Sequence, residues 1–450
     1  MNPRNPGQTV DLAITRATVV TMDAAASVRH DATILVDEGV IVGVLGSSES
    51  PDGAPLAHRV VDAAGAIVMP GMINAHAHLP MTMFRGLADD RDLDGFLATM
   101  LPAEGAMLRP DTVAAASLLA VAESLRAGIT TTLDMYFFPE DTHDAAAAGG
   151  LRLHSGPVFV EFPGADHRPF ASRLAWAREW LAAANYGPGG AWLQPHSTYL
   201  LDEVQLRSIA ALADETGARI NVHAAETAAE VIQVLARHGR RPIQVLDDCG
   251  LLGPRTVLAH GVHLNDAEIT CIAERGASVV HNPASNAKLA SGAARIPDLL
   301  SAGVNVALGT DGPASSNDLD LLFAMRLAAL LQKSARGDAA VLDAVTALCM
   351  ATVNGARALG IDHLIGSIEA GKRADLVVFC ADAASLTPTY DPHSAIVYAA
   401  SRAEVETVII DGQVVVEAGR STRIDLAAAT EAIRSLQPAI VAALPTAEAR

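Results

Sequence analysis

Short apolar, often β-branched runs alternate with Ala/Leu-rich stretches along most of the chain, and that alternation predicts its architecture. Near the start, DLAITRATVVTM and DATILVDEGVIVGVLG are broken by Asp, Gly and Ser, the texture of short strands joined by turns. The same texture returns in GSIEAGKRADLVVFC and VETVIIDGQVVVEAG. Two β-rich ends around a different middle predict one small β-sandwich domain built from both, since chain termini commonly lie close together.

In the middle, strand-like runs fall at 67–75, 128–135, 151–158, 192–196, 219–223, 256–260, 278–281 and 305–309. Between them lie segments such as DTVAAASLLAVAESLRAG and DEVQLRSIAALADETG, with helical spacing, an acidic cap and a terminal Gly. Eight strands alternating with helices give the arithmetic of an α/β fold, a TIM-like (β/α)8 barrel. A doubly wound open sheet is the competing reading, and no GxGxxG or GxxxxGK[ST] loop supports it. The expected division is 1–66 and 366–423 as the two parts of the sandwich, 67–365 as the barrel, and 424–450 as a closing helix.

Composition narrows the function. A formal charge of −19 argues against a nucleic-acid partner, because phosphate binding needs a dense Lys/Arg surface. No apolar run approaches the ~18 residues that a membrane span needs. The opening MNPRNPGQTVDLAI lacks the basic-then-apolar pattern of a secretory leader. Cys249, Cys271, Cys349 and Cys380 form no CxxC pair and read as free thiols of a reducing, cytoplasmic setting.

Candidate chemistry appears once the polar residues are placed on the strands. His76 and His78, in PGMINAHAHLPM, are two apart at the end of the first run, so a strand points both to one face. His196, His223, His260 and His281 end the fourth to seventh runs, Glu226 follows His223 by three, and Asp311 follows the eighth. A single histidine at a strand end is usually a hydrogen-bonded rim residue, Asp before Gly usually makes a turn, and Glu226 suits a helix start. Six of eight strand ends carrying such a group is a different matter, because a barrel brings them all to its C-terminal mouth. Three imidazoles and a carboxylate, His76, His78, His223 and Asp311, make a donor set for one divalent ion, Zn2+ or Fe2+, with a position left for water. A second ion usually needs a bridging group such as a modified lysine, and no lysine lies between His78 and His223.

Together PGMINAHAHLPMTMFRGLADD, PHSTYL, HAAET, LAHGVHL, HNPASNAKLASG and GTDGPASSNDLDLL resemble the amidohydrolase superfamily. The resemblance is closest to its S-adenosylhomocysteine/5′-methylthioadenosine deaminase branch, neighbour of the chlorotriazine hydrolases, and covers essentially the whole chain. It implies hydrolytic deamination, an amidohydrolase activity on a non-peptide C–N bond, in which water activated at the metal attacks C6 of an adenine nucleoside. On that resemblance His76, His78, His223 and Asp311 hold the metal, Glu226 shuttles protons, and His260 with Asp311 activates the water. His196 contacts substrate, Glu104 in MLPAEGAML matches a glutamate that grips ribose hydroxyls, and Arg152 in GGLRLHSG matches a pocket arginine. Relatives of this kind are commonly homo-oligomers.

The chain departs from the branch at Phe96, where the pattern has Trp, and in VEFPGADHRPF, which leaves substrate identity open. Another aminated heterocycle (a guanine derivative, a pterin, a triazine) is the alternative substrate, and a scaffold without catalysis the remote one. HxE with PCxxC, the signature of the other zinc deaminases, is absent, as is HExxH.

Overall fold

The computed structural model describes residues 9–46, 57–183 and 190–444. Eight strand positions alternate with helices as the sequence predicts. They are Met72–Ala77, Ile129–Asp134, a split third strand, Trp192–Pro195, Arg219–Ala224, Thr256–His260, Ser278–His281 and Asn305–Leu308. Neighbours pair in parallel around the ring, and a bridge between Ala77 and Asp311 joins the last position to the first. Ile73, Leu133, Trp192, Val257, Val280 and Ala307, from six different strands, share one buried cluster, the packed interior such a barrel requires.

The third strand is broken. Arg152–His154 pairs with the second strand, whereas Val158–Phe159 pairs with the fourth. Gly156 lies between the two pieces, where a Cβ would stand 2.0 Å from the Trp192 carbonyl oxygen, so only glycine lets the backbones approach.

The run at 67–75 also divides. Ile67–Pro70 pairs with Val10–Val20 and Leu376–Phe379 and so belongs to the small domain, while Met72–Ala77 opens the barrel. The chain crosses at Gly71, whose absent side chain makes room for Thr130. Both stretches are apolar, so pairing partners rather than local pattern set this border.

The two chain ends do meet in one domain, but as a single nine-stranded sheet instead of two separate sheets. Its far strands share a core: Ile41 from Val40–Leu45 and Ile409 from Val405–Ile410 cluster with Ile14, Val68 and Leu376. The sheet therefore curls around its own apolar face. Arg152, at the start of the third barrel strand, ties barrel to sheet through Asp375 and Asp411, at 2.9 and 3.0 Å.

Helix boundaries follow the local signals. Asp202 caps Glu203–Thr216 by accepting from the Gln205 N–H at 2.8 Å, and Gly217 ends it at φ +73°. Pro110–Arg126 starts one residue before the expected acidic cap, with Pro110 in its first turn. The closing helix is Leu426–Ala442, whose Ile440 packs with Met107 and Val113. Among the described residues no helix is long and apolar enough to cross a membrane.

Candidate metal centre and substrate cavity

The barrel mouth gathers the predicted residues. Ligand atoms of His76, His78, His223 and Asp311 all lie within 4.8 Å of one another, and all four residues are buried. His78 Nε2 stands 3.1 Å from Asp311 Oδ1 and 3.3 Å from His223 Nε2, and His76 Nε2 lies 3.6 Å from the same carboxylate oxygen.

The other ring nitrogens are spoken for. His76 Nδ1 faces Asn221 Oδ1 at 3.3 Å, His78 Nδ1 the Met135 carbonyl at 2.5 Å, and His223 Nδ1 the His196 carbonyl at 2.8 Å. Each Nδ1–H donates outward, which leaves each Nε2 lone pair turned to the centre, the arrangement that orients imidazole ligands. Asp311 Oδ2 accepts from the Ser315 hydroxyl at 2.7 Å, leaving Oδ1 to face inward.

Electrostatics show what the centre lacks. His76 Nε2 is buried without a hydrogen-bond partner, and burial lowers its pKa to about 4. Burial also lowers His223 well below the usual range. Burial acts to lower His78 as well, yet Asp311 outweighs it and holds His78 up at about 9. Burial would raise Asp311, but the two imidazoles beside it keep it well below the ordinary carboxylate range. Asp311 thus favours positive charge at this centre, which a proton on His78 Nε2 supplies and a cation bound by all four groups would replace. A divalent cation fits this donor set.

Three non-glycine residues around it hold left-handed backbone: Ala225 at φ +53°, His260 at +76° and Asp311 at +61°. Such positions cost about 1–3 kcal/mol each and persist where surrounding structure fixes them.

Glu226 and His260 stand beside the donor set, 3.8 Å apart between Oε2 and Nε2. His260 Nδ1 donates to Asn286 Oδ1 at 2.8 Å, which turns Nε2 toward Glu226. Burial acts to lower the His260 pKa, but Glu226 and Asp311 outweigh it and raise the pKa, so Nε2 readily takes up a proton. Asn286 gives the HNPASNAK segment one role at the site. Burial raises the Glu226 pKa, which favours its protonated form. Behind it, the buried Glu230 carboxylate accepts the Ala225 and Glu226 N–H groups, at 3.0 and 2.5 Å.

A cavity of about 770 Å³, counting the solvent at its mouth, opens over these groups. His78, His196, His223, Glu226, His260 and Asp311 reach it. Glu104 does too: it is 7 % exposed, accepts from the Tyr136 hydroxyl at 2.6 Å, and burial raises its pKa to about 7. Phe96 lines the wall, as do Val160 and Phe162 from the unmatched VEFPGADHRPF stretch.

Two sequence candidates are placed elsewhere. His281 is buried beyond the cavity, with neither ring nitrogen hydrogen-bonded. Arg152 does not line the cavity at all. It begins its strand instead of ending it, so it emerges at the opposite rim, where Asp375 and Asp411 bind it. Sequence reasoning missed Asn221, Gln194 and Glu230. Gln194 holds Asn221 by accepting from its Nδ2 at 2.9 Å, and Asn221 faces His76. A polar amide inside the apolar runs WLQP and RINVHA was the available signal.

Residues 67–415 match the Amidohydrolase family. The chain belongs to that family. It is 40% identical to a 5-methylthioadenosine/S-adenosylhomocysteine deaminase of Syntrophobacter fumaroxidans over 426 residues, 94% of this chain and 97% of that one. A 5′-deoxyadenosine deaminase of Methanothermobacter thermautotrophicus is 41% identical over 391 residues, 86% of this chain and 90% of that one. Among solved structures, an adenosine deaminase from Xanthomonas campestris with bound zinc superposes with a TM-score of 0.94 at 38% identity, covering 97% of this chain and 100% of that chain. This member of the amidohydrolase family thus shares its fold with a zinc-containing relative, and its own barrel holds a buried His3Asp donor set.

Proposed function

We propose that this protein is a hydrolytic deaminase of adenine nucleosides, with adenosine, 5′-deoxyadenosine, 5′-methylthioadenosine and S-adenosylhomocysteine as the candidate substrates. The observation that carries this reading is the buried donor set with Glu226 and His260 beside it, under a cavity that also holds Glu104. The named deaminases that the chain resembles support it.

His76, His78, His223 and Asp311 would hold one divalent ion, with Zn2+ favoured by the zinc of the Xanthomonas relative. Bound there, the ion supplies acidification of water to a pKa of ~7. The remaining work falls to the protein. Water adds to the amine-bearing ring carbon, C6, and its proton passes to His260 Nε2, with Asp311 orienting it. That carbon is a weak electrophile, so protonated Glu226 gives its proton to the adjacent ring nitrogen N1. The Glu226 carboxylate then takes the hydroxyl proton of the adduct and delivers it to the amino group. Ammonia leaves, C6 becomes a carbonyl, and the proton on His260 returns to Glu226. Acid–base help of this kind contributes ~100- to 10,000-fold.

Glu104 and Tyr136 form a buried acceptor–donor pair suited to a ribose diol, which favours a nucleoside over a free base or a triazine. The test is to incubate zinc-loaded protein with each nucleoside and follow ammonia together with the adenine-to-hypoxanthine absorbance change. Reaction with none of them would overturn the reading.

A further inference from the structure

The helix Leu93–Met107 lays one face along the cavity. Leu93, Phe96, Leu97, Met100 and Leu101 all line it and recur at i, i+3, i+4, i+7 and i+8, with Glu104 next on the same stripe. The stripe spans about 16 Å of helix at 1.5 Å per residue. Glu104 is its one polar residue. Across the cavity, Phe162 adds a further apolar surface.

None of the described residues lining the cavity is Lys or Arg. Two cations near the lining are committed elsewhere. Lys288, beside Leu289, binds Asp89 at 2.6 Å and the Ala314 carbonyl at 3.0 Å. Arg237 binds Glu161 at 2.7 Å and the Tyr199 carbonyl at 2.8 Å. The titratable side chains that line it outside the donor set are Glu104, Glu226, His196 and His260, so a carboxylate carried by a substrate meets no Lys or Arg to pair with.

We propose that the Leu93–Leu101 stripe is a specificity face that selects adenine nucleosides with small apolar 5′ substituents and rejects those ending in an amino-acid zwitterion. The inference rests on the adenine-nucleoside reading and narrows it. With the base held at the donor set and the ribose at Glu104, the 5′ group is what remains to meet the stripe. A methylthio or methyl group buries apolar surface there, which is favourable. The 5′ hydroxyl of adenosine loses water without an equal partner. The carboxylate of a homocysteine tail loses much more, because the wall offers it carbon and no cation.

The test is a kcat/KM series on the zinc-loaded enzyme with 5′-methylthioadenosine, 5′-deoxyadenosine, adenosine and S-adenosylhomocysteine. The expected order places methylthioadenosine first and S-adenosylhomocysteine at least 30-fold below it; a smaller gap overturns the inference while leaving the deaminase reading intact. Absence of reaction with all four defeats both. Leu97→Arg, with Leu101→Arg as the alternative if the first does not fold, should raise the S-adenosylhomocysteine to methylthioadenosine ratio at least fivefold. An unchanged ratio in folded protein would show that the stripe does not meet the 5′ group.

Discussion

The backbone N–H of Asp311 donates to the carbonyl oxygen of His76 at 3.1 Å. The contact that closes the barrel therefore joins two members of the donor set, so the fold and the centre are fixed by the same hydrogen bond. Asp311 has φ +61°, a conformation that Asn tolerates and β-branched residues resist. Asp311→Asn should keep the closing bond and the folded state, yet lose ammonia release on the order of 1,000-fold together with bound metal. Asp311→Val should add a loss of about 1–3 kcal/mol in stability from backbone strain. Thermal unfolding beside metal analysis separates the two effects. Equal stability of both variants would mean that the backbone geometry at 311 carries no strain.

The centre was legible because its ligands sit at ends of apolar runs, where strand periodicity and barrel topology jointly fix direction. That placement offered His196, His260 and His281 beside His223, and the ring geometry brings His223 alone of these four together with His76, His78 and Asp311. Arg152 shows the limit: its strand was correctly found, but the run 151–158 hid the break at Gly156 and the fact that Arg152 opens the strand. Its partners Asp375 and Asp411 lie more than 200 residues away, and no local pattern announces them. The small domain is similar. Its strands were visible, but one continuous curled sheet differs from two sheets only in long-range pairing, such as that of Ile67–Pro70 with Leu376–Phe379.

Arg152 should matter for stability and not for substrate. Asp375 is almost fully buried and accepts three hydrogen bonds from the guanidinium, at 2.9, 3.0 and 3.3 Å. Arg152→Ala removes one partner of a buried pair, which costs about 3–5 kcal/mol because the remaining carboxylate is left uncompensated. Denaturant unfolding should show this loss, with KM for the nucleoside unchanged in the folded fraction. A KM rise without destabilisation would return Arg152 to the pocket.

Glu230 sets the position of Glu226 through the backbone. Its carboxylate accepts the N–H groups of Ala225 and Glu226, and burial raises its pKa to about 7. In Glu230→Gln one of these N–H groups would face an amide NH2 donor, leaving a buried group unsatisfied at about 1–3 kcal/mol. The turn that carries Glu226 should shift, so kcat should fall about tenfold with KM and metal content nearly constant. Glu230→Asp, which keeps two acceptor oxygens on a shorter arm, should recover part of the rate. A fall in metal content equal to the fall in kcat would assign the effect to the donor set instead.

His154 makes stability depend on pH with a defined sign. It is 3 % exposed, neither ring nitrogen is hydrogen-bonded, and burial, helped by nearby Arg152, lowers its pKa to about 3. Unfolded, it would titrate near 6.5, so below that pH the unfolded chain binds a proton that the folded one refuses. Stability is therefore fully present above about pH 6.5 and declines as pH falls toward 3. At pH 5 the gap is about 1.5 pH units, or about 2 kcal/mol at ~1.36 kcal/mol per unit. His154→Leu removes the titrating group while keeping an apolar side chain, and whatever packing change it brings is the same at every pH. The difference in unfolding free energy between wild type and variant should thus be constant from pH 8 to 7 and move by about 2 kcal/mol in the variant's favour by pH 5. Parallel stability curves over that range would mean that the His154 ring finds a proton-accepting partner in the folded state.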